Sequence, residues 1–238
     1  MFVYDANGII LRRIEGKNNK GLNRVSWDLS TESMFTISTE SLNSKRTGYS
    51  VGPGSYAAQL FKRIEGNYTE IGEKVSFEVK PFNERSLEGS SPDQVVAHWK
   101  NVLSLWAKTN DLGADLKDTK NTINLMLKAY AKAQSSDQNL EVELLKLRDQ
   151  VLDMEQQFGG SKTRLEVGEK NEYPTINEYI WKASSMSSTY GPTKSHLKSL
   201  DNANELFDQM VAKMKTIEDA MKPLEDKLEA IGAPKIRK

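Results

Sequence analysis

The sequence predicts an α+β chain in two parts: an antiparallel β-sandwich over residues 1–83 and an antiparallel up-down helical bundle over residues 91–238. Three observations predict it. Apolar residues alternate with a period of two as far as Val79, the period switches to that of helices from Ser91 onward, and a polar stretch at 84–90 separates the two regimes. Asn83, Glu84, Arg85, Gly89 and Ser90 give that stretch the character of a linker, from Phe82 to Ser90 at its widest.

In the first part, Phe2 to Tyr4 runs into Asp5-Ala6-Asn7-Gly8, a turn with glycine where a positive φ is wanted, and Ile9 to Ile14 completes a hairpin. Gly16 to Gly21 reads as a loop. Arg24 to Leu29 then alternates, with Val25, Trp27 and Leu29 on one face and Arg24, Ser26 and Asp28 on the other. Gly52-Pro53-Gly54 introduces a strand from Tyr56 to Phe61, Gly66-Asn67 marks a hairpin turn, and Val75, Phe77 and Val79 alternate in the last strand before Pro81. That makes about five strands, fewer than the about seven of an immunoglobulin-like sandwich. The sandwich is therefore expected to be incomplete, with its missing edge upstream in a longer parent protein.

Ser91-Pro92-Asp93-Gln94 opens the second part with an N-cap serine, a proline at the first helical position and a glutamine placed for a capping box. Val95, Trp99, Val102 and Trp106 recur at helical spacing, and Leu112, Leu116, Ile123, Leu127 and Tyr130 continue the stripe past a polar stretch at Thr109, Asn110 and Gly113. Ser135-Ser136-Asp137 ends this helix. A second carries Leu140, Leu144, Leu147, Val151, Met154 and Phe158 to Gly159-Gly160. Thr175 and Glu178 form another capping box, before a helix through Ile176, Ile180 and Ala183 to about Tyr190. The last helix starts near Pro192-Thr193 and runs through Leu197, Leu200, Phe207, Val211, Met214, Ile217, Met221, Leu224, Leu228 and Ile231 to Gly232. Pro223 is expected to kink or break it. Four helices with short to moderate connections imply an up-down bundle.

Composition excludes several classes. Lys plus Arg equals Asp plus Glu, so no basic excess marks a nucleic-acid binder, and no apolar run reaches the length of a membrane span. Absence of cysteine removes disulfides, thiolate catalysis and Cys-ligated zinc. Met1 to Gly8 has none of the features of a secretory signal, so the chain is expected either to be cytosolic or to begin elsewhere. No phosphate loop, nucleophile elbow or dinucleotide fingerprint occurs, so no cofactor and no catalytic residue is assigned.

His98 and His196 stand on different helices without metal-ligand spacing. Glu141, Glu143, Asp149, Asp153, Glu218, Asp219, Glu225 and Asp226 lie among lysines, the pattern of solvated helix faces. Asp28 reads as a carboxylate bonding a nearby turn. Trp99 and Trp106 read as bundle core rather than a sugar platform. Trp181 lies beside the Ile176-Ile180-Ala183 line, and with Tyr49 and Phe35 of the Ser/Thr-rich stretch from Ser30 to Val51 it is a candidate contact for a partner or a glycan. Asn67-Tyr68-Thr69 matches a glycosylation sequon, which bacterial origin would leave idle.

Val3-Tyr4-Asp5-Ala6-Asn7-Gly8, Leu11-Arg12 and Gly21-Leu22-Asn23-Arg24-Val25-Ser26-Trp27-Asp28-Leu29 resemble the Ig-like module of flagellar hook-cap proteins and many bacterial surface proteins. Gly52-Pro53-Gly54-Ser55-Tyr56 followed by Gln59-Leu60 resembles a later strand of that module. With the capped helices and the terminal Gly232-Ala233-Pro234-Lys235-Ile236, the layout is similar to the C-terminal region of bacterial sortilin-type β-propeller proteins, often labelled BNR-repeat proteins or glycosyl hydrolases. The resemblance implies an exported bacterial protein whose propellers precede this region and hold any hydrolase chemistry. Its Asp-box repeats do not occur here. What it implies is a non-catalytic module that packs on the upstream propeller domains or docks a partner subunit, with a carbohydrate-binding accessory module of a glycoside hydrolase as the alternative.

Overall fold

The structure, a computed structural model, describes residues 1–39, 44–82, 88–185 and 190–236. It is α+β, with one four-stranded antiparallel sheet and five helices among the described residues. The strands are β1 (Phe2–Tyr4), β2 (Ile10–Arg13), β3 (Gly54–Ile64) and β4 (Asn67–Val79), and the helices α1 (Pro92–Tyr130), α2 (Gln138–Gly159), α3 (Lys162–Glu166), α4 (Ile176–Ser184) and α5 (Lys194–Ala230). The chain forms two compact units, Met1–Ser104 with Met186–Thr193 and Leu105–Ser185 with Lys194–Lys238. The proposed linker at 84–90 lies mostly outside the described residues, which resume at Glu88.

In the first unit the sheet order is β2-β1-β3-β4. The β1–β2 hairpin closes on Asp5, whose carboxylate accepts from the amides of Asn7 and Ile9. β3 and β4 form a long hairpin around Glu65-Gly66, both at positive φ, the geometry that matches strand twist in a two-residue turn. Its ladder is irregular between Ala58 and Leu60, where β4 spends extra residues at Gly72. The Gln59 amide, buried, fills this bulge by donating to the Gly72 carbonyl at 3.0 Å.

The strand expected over Arg24–Leu29 does not form. Half-burial still alternates at Val25 and Trp27, but the segment turns away from extension at its end. The Asp28 carboxylate accepts from the Ser30 amide and hydroxyl, and Leu29 takes φ 57°, outside any strand. Beyond it, Ser30 pairs with Ser50, and Val51 and Thr31 donate to the carbonyls of Leu29 and Tyr49. The Thr31 hydroxyl and Glu32 carbonyl lie where a side chain on Gly48 would stand, so this crossing requires glycine. Among the described residues there is a single sheet rather than two packed ones.

α1 starts on the anticipated capping box: Gln94 Oε1 accepts from the Ser91 amide and Ser91 Oγ from the Gln94 amide. It runs without a break through Thr109 and Gly113. Its first part, to Ser104, belongs to the first unit. There the Ser90 amide donates to the Tyr190 carbonyl, and Gly191, at φ 94°, is buried against Ser90 and Val95.

In the second unit the buried residues of α2 are Leu140, Leu144, Leu147, Val151 and Met154, at steps of four and three. α1 and α2 are antiparallel, joined by Lys120–Glu155 at 2.6 Å and by Phe158 packed at Gly113. α2 and α5 are antiparallel too, tied by Lys227–Glu143 and by Lys213 donating to Gln157. The short α4 opens on its capping box at Thr175 and Glu178, packs against α5 and ends at Ser184, not near Tyr190. The irregular connection from Ser161 to Pro174 contains the unforeseen α3. α5 continues through Pro223, so of the expected kink or break the break does not occur. Met221, Leu224 and Leu228 bury around that proline, and their packing offsets the backbone donor it lacks.

Gly191→Ala is expected to destabilise the protein by roughly 2 kcal/mol or more. An added Cβ would lie 2.6 Å from that of Ser90, at a φ that L-residues avoid. Chemical denaturation of the variant beside the wild type measures this; an unchanged midpoint would contradict the close approach.

Candidate functional site

One face of the first unit's sheet carries Tyr56 and Phe77, directly opposite each other on β3 and β4. Trp27 covers them, its ring 5.6 Å from Tyr56 and 6.1 Å from Phe77, both edge-on. The indole N–H donates to the Ser30 carbonyl at 2.8 Å, which fixes the covering segment in place. Asp28 is an exposed turn residue. Its hydrogen bond from the Ser30 hydroxyl, with further help from the Ser30 amide and nearby Arg12, holds its carboxyl below the usual aspartate range. Burial raises Tyr56 above the usual tyrosine range, and its hydroxyl donates to the Gly52 carbonyl.

The cover stops there. Farther along the hairpin, Leu60 lies opposite Ile71 and Ile64 follows on the same face, while Val75 lies opposite Ala58. These four side chains are 50, 50, 55 and 63% exposed in that order. Aliphatic residues scattered singly at a surface need no explanation, but Leu60, Ile71 and Val75 gathered on one sheet face do, with Ile64 beyond the Lys62–Thr69 pair. β4 is also an edge strand, thirteen residues long.

The opposite face holds Phe2, Phe61 and Tyr68. Phe2 and Phe61 stack at 4.4 Å and Tyr68 tilts against Phe2 at 5.3 Å. Arg13 lies over the Phe2 ring, Arg63 over Tyr68, and Lys74 over Tyr4 at 4.0 Å. The ring faces thus meet one another or the chain's own cations, a satellite core rather than an open stacking platform.

Phe35 and Tyr49 are half-buried in the segment that crosses at Ser30 and Ser50, and Arg46 lies over the Phe35 ring at 5.1 Å. Trp181, on α4 in the second unit, is 70% exposed and stands off the buried Ile176-Ile180-Ala183 line. Trp99 is half-buried in the first unit, whereas Trp106, in the second, is 40% exposed and not core. The buried line of α1 passes one residue away, through His98, Val102, Leu105, Thr109, Leu112, Leu116, Thr119, Ile123 and Met126.

His98 is buried beside Trp99 and His196 is half-buried near the start of α5. Of the helix-face carboxylates, Glu143 pairs with Lys227 and Asp149 with Arg148, partly exposed contacts worth at most about 1 kcal/mol each. Among the described residues no three of His, Cys, Asp and Glu gather as a metal site, and no helix is long and apolar enough to cross a membrane. A cleft in the second unit is floored by Leu116, Leu152 and Phe158 and rimmed by Lys117, Lys120 and Lys162. It lies at the C-terminal end of α2, where cations complement the helix dipole.

No family model, no curated protein and no solved structure matches the chain. The uncovered part of the β3–β4 hairpin is therefore identified by its own chemistry. Sequence reasoning saw the alternation at Val75, Phe77 and Val79 but could not distinguish a covered strand face from an open one, since both read as apolar at every second residue.

The Asp28 turn gives a pH test. A carboxyl whose folded pKa is lowered stabilises the fold above the unfolded pKa, and that contribution is lost as pH falls through the folded value. The Ser30 amide resonance should therefore shift only at a pH below the ordinary aspartate range, with Asp28 carboxyl titration in step. A midpoint at or above the ordinary value would contradict the hydrogen-bonded turn.

Proposed function

We propose that this chain is a non-catalytic structural and interaction module of an exported bacterial protein, packing on a neighbouring β-propeller domain through the open face of the β3–β4 hairpin. The observation that carries this reading is the run of Leu60, Ile64, Ile71 and Val75, half or more exposed on one sheet face beside a part of that face covered by Trp27. Burying an aliphatic side chain is worth about 1.5–3 kcal/mol relative to leaving it exposed, so a docked domain gains from covering each of the four. In this reading the sheet is one layer of an immunoglobulin-like sandwich and the docked domain supplies the layer facing its open part. The helices act as an up-down bundle that presents a stiff surface. A carbohydrate-binding accessory role is favoured by one residue, Trp181, whose ring is largely open to solvent.

Comparing hydrogen exchange in the 238-residue chain with that in the protein purified at its natural size from its host tests the proposal. Residues Leu60 to Val75 should exchange fast in the former and slowly in the latter, and the isolated chain should hydrolyse no glycoside. Equal exchange in both, or glycosidase activity that survives rigorous purification of the isolated chain, would overturn it.

A further inference from the structure

The outer edge of β4 has a chemistry of its own. β4 is hydrogen-bonded to β3 on one side, and among the described residues no strand or loop backbone meets its other side. A row of free backbone donors and acceptors at strand spacing is complementary to one kind of occupant, another extended backbone. Proteins commonly blunt such edges with proline, short length or an outward lysine. β4 has thirteen residues and no proline, and its one lysine, Lys74, is drawn over the ring of Tyr4. The bulge at Gly72 divides the edge into two runs, Asn67 to Ile71 and Val75 to Val79, each long enough for about five residues of a partner strand.

Charge selects the occupant. Between Asn67 and Val79 stand Glu70, Glu73 and Glu78 against Lys74, and Lys80 just beyond pairs with Glu78 at 3.2 Å, which leaves the edge acidic by one charge. A second copy of β4 would bring the same acidic excess, and like charges opposite one another destabilise a ladder, whereas opposite charges stabilise it. We propose that the free edge of β4 pairs with an extended segment of another polypeptide that alternates aliphatic with basic side chains. Its aliphatic side extends the row of Ile71, Val75 and Leu60, and its basic side chains meet Glu70. The inference rests on the reading of the chain as an interaction module, and names the form of the contact: strand addition rather than packing of faces alone.

Two ten-residue peptides, acetylated and amidated repeats of Val-Lys and of Val-Glu, test it by NMR titration of the whole chain. The Val-Lys peptide should shift and protect amides of β4, bind at least tenfold more tightly than the Val-Glu peptide, and weaken with added salt. In the Glu70→Lys/Glu73→Lys/Glu78→Lys variant the preference should reverse. The salt dependence and the comparison of the two peptides on the wild type keep the test decisive should the variant fail to fold. Absence of any β4 response, equal binding of both peptides, or pairing of β4 with β4 of a second copy would overturn the proposal. If the full-size protein buries Leu60, Ile64, Ile71 and Val75 while the β4 edge amides exchange freely, face docking stands and strand addition falls.

Discussion

Trp27 packs edge-on against Tyr56 and Phe77 while its indole N–H holds the Ser30 carbonyl, and this pair of contacts decides how much of the sheet is covered. With Ser30 fixed, the chain crosses to Ser50 and lies beside β2, where the Glu32 amide donates to the Leu11 carbonyl and Arg12 reaches the Thr31 carbonyl. Cover therefore extends from β2 to the near half of β3 and β4, and Val3, at its centre, is buried. The far half of the hairpin projects past it. Gln59 completes the division, because its amide holds the bulge at Gly72 where the hairpin leaves its covered stretch.

A sheet covered over half of one face leaves apolar area in water, and that cost is tolerated in a stable protein only where something offsets it. The aromatic cluster on the other face offsets part: Phe2, Phe61 and Tyr68 gain stacking and cation–π energy of order 0.5–1.5 kcal/mol per contact without a covering layer. The aliphatic row has no such internal remedy. Leu60, Ile64, Ile71 and Val75 are the side chains that a covering partner would bury, which is why the proposed docking surface lies there rather than at the scattered carboxylates or the lysine-rimmed cleft.

Much of this was legible from residues alone. Two caps were readable because they satisfy specific backbone donors: Ser91 with Gln94 and Thr175 with Glu178 function as their types and spacings indicate, whereas Asp137, read only as the end of α1, also caps α2. The α2 stripe was readable because every member is apolar. On α1, Val102, Leu112, Leu116 and Ile123 are buried as their spacing indicates, but at Trp99 and Trp106 the line was drawn one residue off, because the large apolar rings concealed that His98 and Leu105 hold the buried positions beside them. The Thr109 hydroxyl is buried with no hydrogen-bond partner among the described residues, a burial that no hydropathy pattern announces. Arg24 to Leu29 alternates as a strand would, yet the Asp28–Ser30 turn competes successfully for its backbone. The open face was illegible because cover is a tertiary property: Phe77 and Val75 sit two residues apart on one strand, one beneath Trp27 and the other in solvent.

Solvent paramagnetic relaxation of side-chain methyls, recorded on the monomeric chain with a soluble gadolinium chelate, tests the half-covered sheet most directly. The methyls of Leu60, Ile64, Ile71 and Val75 should relax strongly while those of Val3 are shielded. Shielding of all five in a monomer would show that the chain covers its own hairpin, and the docking surface would not exist.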